Sequence, residues 1–416
     1  MASSTTRSSA TVLHTVESEG LPYHNQNYSE PSFYHNSFKS LSFSNENERF
    51  WWHATARSLS TLLSSSEYTT NDQQFYLQWF HRYIIGALGP QPISGIKPLF
   101  APCPVFDGSA VEHSINWNER SFQRTVRFTM EATGFEAGTA TDPFNQQETR
   151  RLLTRMRDDG LGVDLQHFDI FAQELFLPCN VAAELIPKLV STRTPLSQAW
   201  MAFDLLRSTD EPEGRAPHAM AKVYFMPILK WILTGVPTKE LVFAAARRCN
   251  GCHGSYDASI QELDDFLQSF PKGDDPVIEM VAIDCIAGPN SRIKMYLRTG
   301  VNTFAKAKHM YTLGGKLNGV VVEDGLKALE QLWPILFRLE GVDDVENYEV
   351  FPQGSYCGCA IEITPGTKQP ETKLHIPVRK LQGTDSQLCD SLAAWFRLRG
   401  DEEFAVRYKG ELEAAL

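Results

Sequence analysis

Positive charge is scarce in this sequence: 39 lysines and arginines face 50 aspartates and glutamates, a formal charge of −11 over 416 residues. That balance argues against a nucleic-acid partner, because holding a phosphate backbone draws on a basic surface. Long apolar runs are missing too. Nothing approaches the roughly 18 residues that suggest a membrane-crossing helix, so no membrane span is expected. Residues 1–45 contain no apolar stretch of the kind that directs export, and are rich in Ser, Asn and Tyr. They read as a disordered tail with little role in the fold. The 8 cysteines are scattered at 103, 179, 249, 252, 285, 357, 359 and 389. Reduced thiols in a cytoplasmic protein fit that scatter better than a disulfide framework.

What is present begins at residue 46. With 42% hydrophobic residues the chain can bury a large core. Helical spacing of apolar residues runs through 47–66 and 71–89, and two strand-like segments follow at 109–117 and 124–132. The same order returns three times. Helices at 145–159 and 165–176 precede strands at 199–208 and 219–227. Helices at 237–248 and 259–270 precede strands at 276–286 and 291–299, and helices at 301–313 and 323–339 precede strands at 356–365 and 372–380. Two last helical segments, 386–400 and 401–416, close the chain. This is an internal repeat of two helices and two strands with a period of roughly 80 residues.

Short links within each strand pair imply antiparallel hairpins. Repeated around an axis, the unit gives an α+β fold: an antiparallel β-barrel with a polar lumen, ringed by helices, which leaves no exposed sheet edge. A flat antiparallel layer is the alternative. The fifth helical pair is not followed by a fifth strand pair, so the last strand pair is missing from the pattern and a truncated chain is the expected explanation.

The strands carry the functional signal. In residues 291–299, SRIKMYLRT, period-two alternation puts Arg292, Lys294 and Tyr296 on one face and Ile293, Met295 and Leu297 on the other. Residues 219–227 repeat the device with Lys222 and Tyr224, and residues 124–131 with Arg127 and Thr129. Four inward cations repel one another unless an anion compensates them. A diphosphate suits the set, since Arg offers paired donors and Lys a point charge. Ion pairing to Glu112, Glu131, Asp204 or Asp284 is the bland alternative. Tyrosines beside a departing diphosphate can stabilise an allylic carbocation through their ring faces. No Asp-Asp-x-x-Asp motif is present to hold Mg²⁺. The basic side chains themselves are therefore expected to neutralise the leaving group, with no metal and no cofactor.

These residues fall in motifs that resemble the fungal aromatic prenyltransferases of the dimethylallyltryptophan synthase type. The markers are ALGP at 87–90, Glu112-x-Ser114-x-Asn116, TVRF at 125–128, the Lys222-x-Tyr224-Phe225-x-Pro227 run and Ser291-Arg292-x-Lys294-x-Tyr296. Pro365-Gly366 followed by Lys373-x-His375-x-Pro377 completes the set. The resemblance covers residues 46–416 in repeat order and implies a single ten-stranded barrel domain over that span.

It also implies metal-independent transfer of a dimethylallyl group from dimethylallyl diphosphate to an aromatic small molecule in fungal secondary metabolism. By the same resemblance, Arg127, Lys222, Arg292 and Lys294 bind the diphosphate and Tyr224 and Tyr296 shield the cation. Glu112 accepts a hydrogen bond from an indole N–H or a phenol. Lys373 and His375 are expected to belong to the pocket.

Several positions depart from the family pattern. His375 stands where members often carry tyrosine. Residues 356–363 offer either Cys357 and Cys359 or Gly358 and Ala360 to the lumen, where a polar, tyrosine-bearing pair is expected. The lysine that serves as base in tryptophan-modifying members has no identifiable counterpart, Leu206 and Arg207 being nearest its place. An indole-containing compound larger than free tryptophan, or a polycyclic phenol such as a xanthone, is the expected acceptor. A non-catalytic diphosphate-binding barrel is the rival reading. Cys249-Asn-Gly-Cys252-His253 matches a haem-attachment spacing, but surface thiols in a helix-terminating loop explain it more simply.

Overall fold

Alternation along the strands governs the architecture. In the computed structural model, residues 32–104, 108–118, 121–192, 194–208, 218–251, 253–271, 276–352, 355–381 and 383–415 are described. Eight strands form one sheet in sequence order: β1 (Val111–Trp117), β2 (Arg124–Met130), β3 (Ala199–Leu206), β4 (His218–Phe225), β5 (Val277–Asp284), β6 (Ile293–Val301), β7 (Cys357–Ile363) and β8 (Glu371–His375). Every neighbouring pair is antiparallel. The sheet curls into an open barrel of eight strands rather than the ten that the resemblance implies. Residues of β1 and β8 line the same internal cavity.

One face of each strand is sealed against helices. Val126, Phe128 and Met130 of β2, Val223 and Phe225 of β4, and Ile293, Met295 and Leu297 of β6 are all buried, as are Cys357, Cys359, Ile361 and Ile363 of β7. The choice left open for β7 is thus resolved. Its cysteines point outward into the helix layer, and Gly358, Ala360 and Glu362 take the lumenal parity. In β5 a bulge shifts the register between Ile278 and Met280, so Met280 stands opposite Tyr296 and reaches the lumen.

The outer layer consists of α1 (Ser32–Ser40), α2 (Glu46–Ser65), α3 (Thr70–Tyr83), α4 (Gln147–Asp158), α5 (Gln166–Leu175), α6 (Ala182–Ser191), α7 (Pro227–Thr234), α8 (Thr238–Arg248), α9 (Asp257–Leu267), α10 (Phe304–Tyr311), α11 (Val320–Phe337), α12 (Asp385–Leu398) and α13 (Glu402–Ala415). Helices α2, α4, α5, α8 and α10 pack on β1, β3, β4, β5 and β6 respectively. The last hairpin completes the ring: α12 lies on α11, and α13 lies on α2. Its hold on the sheet is specific. Trp117 at the end of β1 donates from Nε1 to Asp401 at 2.8 Å and packs edge-on against Trp395 and Phe396. Local signals agree with the tertiary placement. Thr384 and Gln387 form a reciprocal capping box that starts α12, and Gly235, at φ +74°, ends α7 in the left-handed region.

Four expectations are corrected. Residues 32–45, assigned to a disordered tail, are folded: Tyr34 of α1 is buried and stacks on Trp52. An aromatic face spaced over only nine residues gave too little periodicity to stand out. Residues 1–31 lie outside the described set. The strict two-helix repeat gains α6 and α7. The eighth strand stops at His375 instead of running to 380, because Pro377 has no N–H for the ladder and a 3₁₀ turn follows at Val378–Lys380. Cys249 is buried at the end of α8, not on the surface, and Cys252 is outside the described residues. Among the described residues no helix is long and apolar enough to cross a membrane.

Phe225 tests the helix-on-sheet packing directly. Its ring meets Phe168, Phe171 and Phe176 at centroid distances of 5.8, 5.7 and 5.5 Å. Phe225→Ala is expected to cost about 3–5 kcal/mol of stability, read from the denaturant midpoint at unchanged slope.

Candidate active site

The lumenal face of the sheet collects charge of both signs. Arg127 on β2 lies opposite Asp204 on β3, with Nε 3.0 Å from Oδ1, and Lys222 on β4 holds the other oxygen of Asp204 at 2.5 Å. Arg292, immediately before β6, pairs with Asp284 at 2.6 Å and reaches Glu362 of β7 at 3.0 Å. Lys294 and Lys373 meet the second oxygen of Glu362 at 3.1 and 3.2 Å. The ion-pairing alternative is therefore met in part: Asp204 and Asp284 answer the cations as it allowed, and Glu362, which it did not include, answers the rest. Asp204, Asp284 and Glu362 are all but fully buried, and a buried charge in a fold persists only with a partner. Five cations nevertheless share three carboxylates, which leaves a surplus of positive charge on one wall.

Burial and this pairing shift the titration of four of these groups. Burial lowers Lys222 to about 8; Asp204 and Asp284 oppose the shift, while Lys294 and Arg127 reinforce it. Burial also lowers Lys294, against the pull of Glu362. Burial alone would push Glu362 up, but Lys294, Lys373 and Arg292 together bring it down to about 2. Arg292 loses hydration as well, yet Asp284 and Glu362 more than offset that loss and hold it above its ordinary value. The carboxylates position the cations, and a polyanion can satisfy what the carboxylates leave over.

Two cavities open along this wall. The first, about 160 Å³, is lined by Arg127, Lys222, Lys294 and Lys373 with Asp204 and Glu362 at its floor. The second, about 350 Å³, holds Glu112, Trp200, Met280, Leu297 and Gly358. Thr129, Tyr224, Tyr296 and His375 line both and mark the boundary. The rings of Tyr224 and Tyr296 lie 5.7 Å apart at 44°, and the imidazole of His375 is 5.5 Å from Tyr296. Burial raises the pKa of both phenols, so they stay neutral and present uncharged, electron-rich faces.

Seven of the residues singled out in the sequence thus meet in one place: Arg127, Lys222, Lys294, Tyr224, Tyr296, Lys373 and His375. Arg292 joins through its carboxylates instead of touching the cavity. Glu112 sits in the adjoining one, beside Thr129, its register partner on β2. Glu131 takes no part. It is buried beyond the cavities, where Ser197 Oγ donates to it at 2.7 Å and the Cys103 N–H at 3.1 Å, and burial pushes it up to about 7. Arg207 is committed to the backbone carbonyls of Ser66, Glu67 and Arg124. Glu362 and Trp200 escaped the sequence reading. Continuing the alternation from Gly358 and Ala360 by one step reaches Glu362, and Trp200 precedes Ala202 and Asp204 at the same parity.

Comparisons with known proteins agree with this geometry. The family model described as tryptophan dimethylallyltransferase matches residues 47–411. Prenyltransferase iacE of Pestalotiopsis fici is 35% identical over 383 residues, covering 91% of this chain and 85% of that protein. The 7-dimethylallyltryptophan synthase of Aspergillus fumigatus is 31% identical over 380 residues, covering 88% and 77%. The crystal structure of AnaPT from Neosartorya fischeri superposes with a TM-score of 0.77 at 26% identity, over 92% of this chain and 89% of that one.

Burial leaves Lys222 with a charge that depends on pH near neutrality. It carries its charge below about 8 and loses it above. Affinity for inorganic diphosphate, followed by titration calorimetry, is expected to weaken as pH rises through that value. Lys222→Arg, which keeps its proton there, is expected to abolish the step.

Proposed function

Since the chain belongs to the tryptophan dimethylallyltransferase family, we propose that its two cavities divide the work of a metal-independent aromatic prenyl transfer. The first takes the diphosphate of dimethylallyl diphosphate, and the second takes the aromatic acceptor. The observation that carries this reading is the surplus of lumenal cations directly beside two neutral tyrosines.

Arg127, Lys222 and Lys294 line the cavity and neutralise the diphosphate, and Arg292 supports them by sharing Asp284 and Glu362. The allylic C–O bond then breaks and its electron pair leaves with the phosphate oxygen. Electrostatic stabilisation of a leaving group by fixed donors needs no reorganisation at the moment of reaction. The carbocation lies against Tyr224 and Tyr296, whose ring faces attract positive charge by about 2 kcal/mol where water is excluded. Attack by an aromatic carbon forms the new C–C bond.

Glu112 is the residue assigned to the acceptor. A carboxylate that takes the hydrogen bond of an indole N–H or a phenol O–H raises electron density at the attacking carbon. Gly358 and Ala360 present almost no side chain to the lumen, and the second cavity is the larger of the two. That space favours an indole-containing compound bulkier than tryptophan, or a polycyclic phenol. The A. fumigatus relative, by its name, acts on tryptophan itself. An acceptor panel of indoles, phenols and xanthones with dimethylallyl diphosphate, run with and without EDTA and read by mass spectrometry, tests the assignment.

Lys294→Ala is expected to reduce turnover by at least about a hundredfold, since one preorganised charge partner of the leaving group is lost. Circular dichroism should show the fold retained. A variant with wild-type turnover contradicts the assignment.

A further inference from the structure

Alkylation of an aromatic ring leaves a hydrogen on the attacked carbon, and a base within reach must remove it before aromaticity returns. The place where tryptophan-modifying relatives are expected to carry a lysine offers none here: Leu206 is apolar, and Arg207 is committed to three backbone carbonyls. We propose that His375 is the general base that takes this proton. The inference rests on the prenyl-transfer reading given above.

Position is the first argument. Bond formation under that reading occurs where the two cavities meet, and Thr129, Tyr224, Tyr296 and His375 are the residues that line both. A threonine hydroxyl is no base at neutral pH, and both phenols are held in their protonated form. His375 is left. Its ring adjoins that of Tyr296, one of the two tyrosines placed against the carbocation. Opposite it in the β7–β8 ladder stands Gly358, which has no side chain to cover the imidazole. Among the described residues no group hydrogen-bonds to the ring, so a nitrogen is available to accept.

Charge is the second argument. Lys373 on β8 and Lys294 on β6 face His375, with Tyr296 on β6 and Tyr224 on β4. Glu362 on β7 shares the first cavity, and Glu112 on β1 and Glu279 on β5 share the second. Glu362 is occupied by Arg292, Lys294 and Lys373, and Glu279 by Arg298 at 3.3 Å. Loss of hydration within the lumen and then the two lysines lower the imidazole from its ordinary value of 6.5, although His375 stays open to solvent on its uncovered side. An imidazole beside two ammonium groups accepts a proton from a strong carbon acid such as an alkylated arenium ion and releases it readily afterwards.

The step balances. The ring C–H bond breaks, its electron pair returns to the ring, and the proton moves to a nitrogen of His375. The imidazolium then yields that proton to the departing diphosphate or to water. Each turnover therefore releases one diphosphate and one proton.

The full chain with dimethylallyl diphosphate and the best acceptor from the panel, protonated or deuterated at the reacting carbon, tests the proposal. His375→Gln is expected to lower kcat by about 10²–10⁴-fold, the usual loss for a general base, and to bring out a primary isotope effect. Its affinity for inorganic diphosphate should stay within about twofold, because a base contributes little to binding the leaving group. Wild-type kcat is expected to fall below pH 6.5 as the imidazole gains a proton, and the variant should lack that limb. Added imidazole should restore part of the activity of His375→Ala. A working wild type without an acid limb overturns the proposal alone. So does a folded His375→Gln that keeps kcat within about threefold or shows no isotope effect. A wild type that transfers no prenyl group overturns the underlying reading and the proposal with it.

Discussion

Everything in the lumen depends on three buried carboxylates, two of which hold more than one cation. Glu362 alone gathers Arg292 and Lys294 from the start of β6 and Lys373 from β8, and Asp204 joins Arg127 to Lys222. Removing one partner from such a set strands a buried charge, at a cost of about 3–5 kcal/mol. The polar wall is therefore as much a structural constraint as a binding surface. It keeps long, flexible side chains at fixed positions before any ligand arrives, and so spares the ligand the entropy of ordering them.

The sheet can carry that wall because its other face is sealed. Period-two alternation sends Val, Ile, Phe and Met outward into a helix layer while Arg, Lys and Tyr line the interior. The layer is continuous although the strands form an open barrel: α12 and α13 bridge from α11 to α2, and the Trp117–Asp401 hydrogen bond ties that bridge to the first strand. Helices thus close a ring around a sheet whose own ladder runs from β1 to β8 without returning.

Much of this was legible along the chain. The repeat appeared as four successive runs of helical and then alternating hydrophobicity, and all eight strands lie where the alternation put them, within a few residues. Parity put Arg127, Lys222 and Lys294 on one face of their strands, and the register of the ladder brought them to one cavity. Boundaries were less visible. Pro377 shortened β8, a bulge at Glu279 turned Met280 inward, and α1 proved too short for its pattern to separate from its polar surroundings. These are local backbone events that hydrophobic periodicity does not encode.

The site itself divides along the same line. By itself the sequence determined the chemistry on offer: cations and phenols at alternating positions, no aspartate-rich metal motif, and a glutamate on the first strand. It offered Asp204 and Asp284 among four candidate carboxylates for those cations, without deciding between them and without Glu362. Asp204, Asp284 and Glu362 stand on three strands whose relative stagger is set by hairpin length and bulges, and stagger decides which charges come within 3 Å. Only the tertiary structure settled that the cations are paired yet still in surplus, and that His375 stands at the boundary between the cavities with no side chain opposite. Identity of residues is written along the chain, but electrostatic balance belongs to distances across the sheet, and those exist only once the sheet has curled.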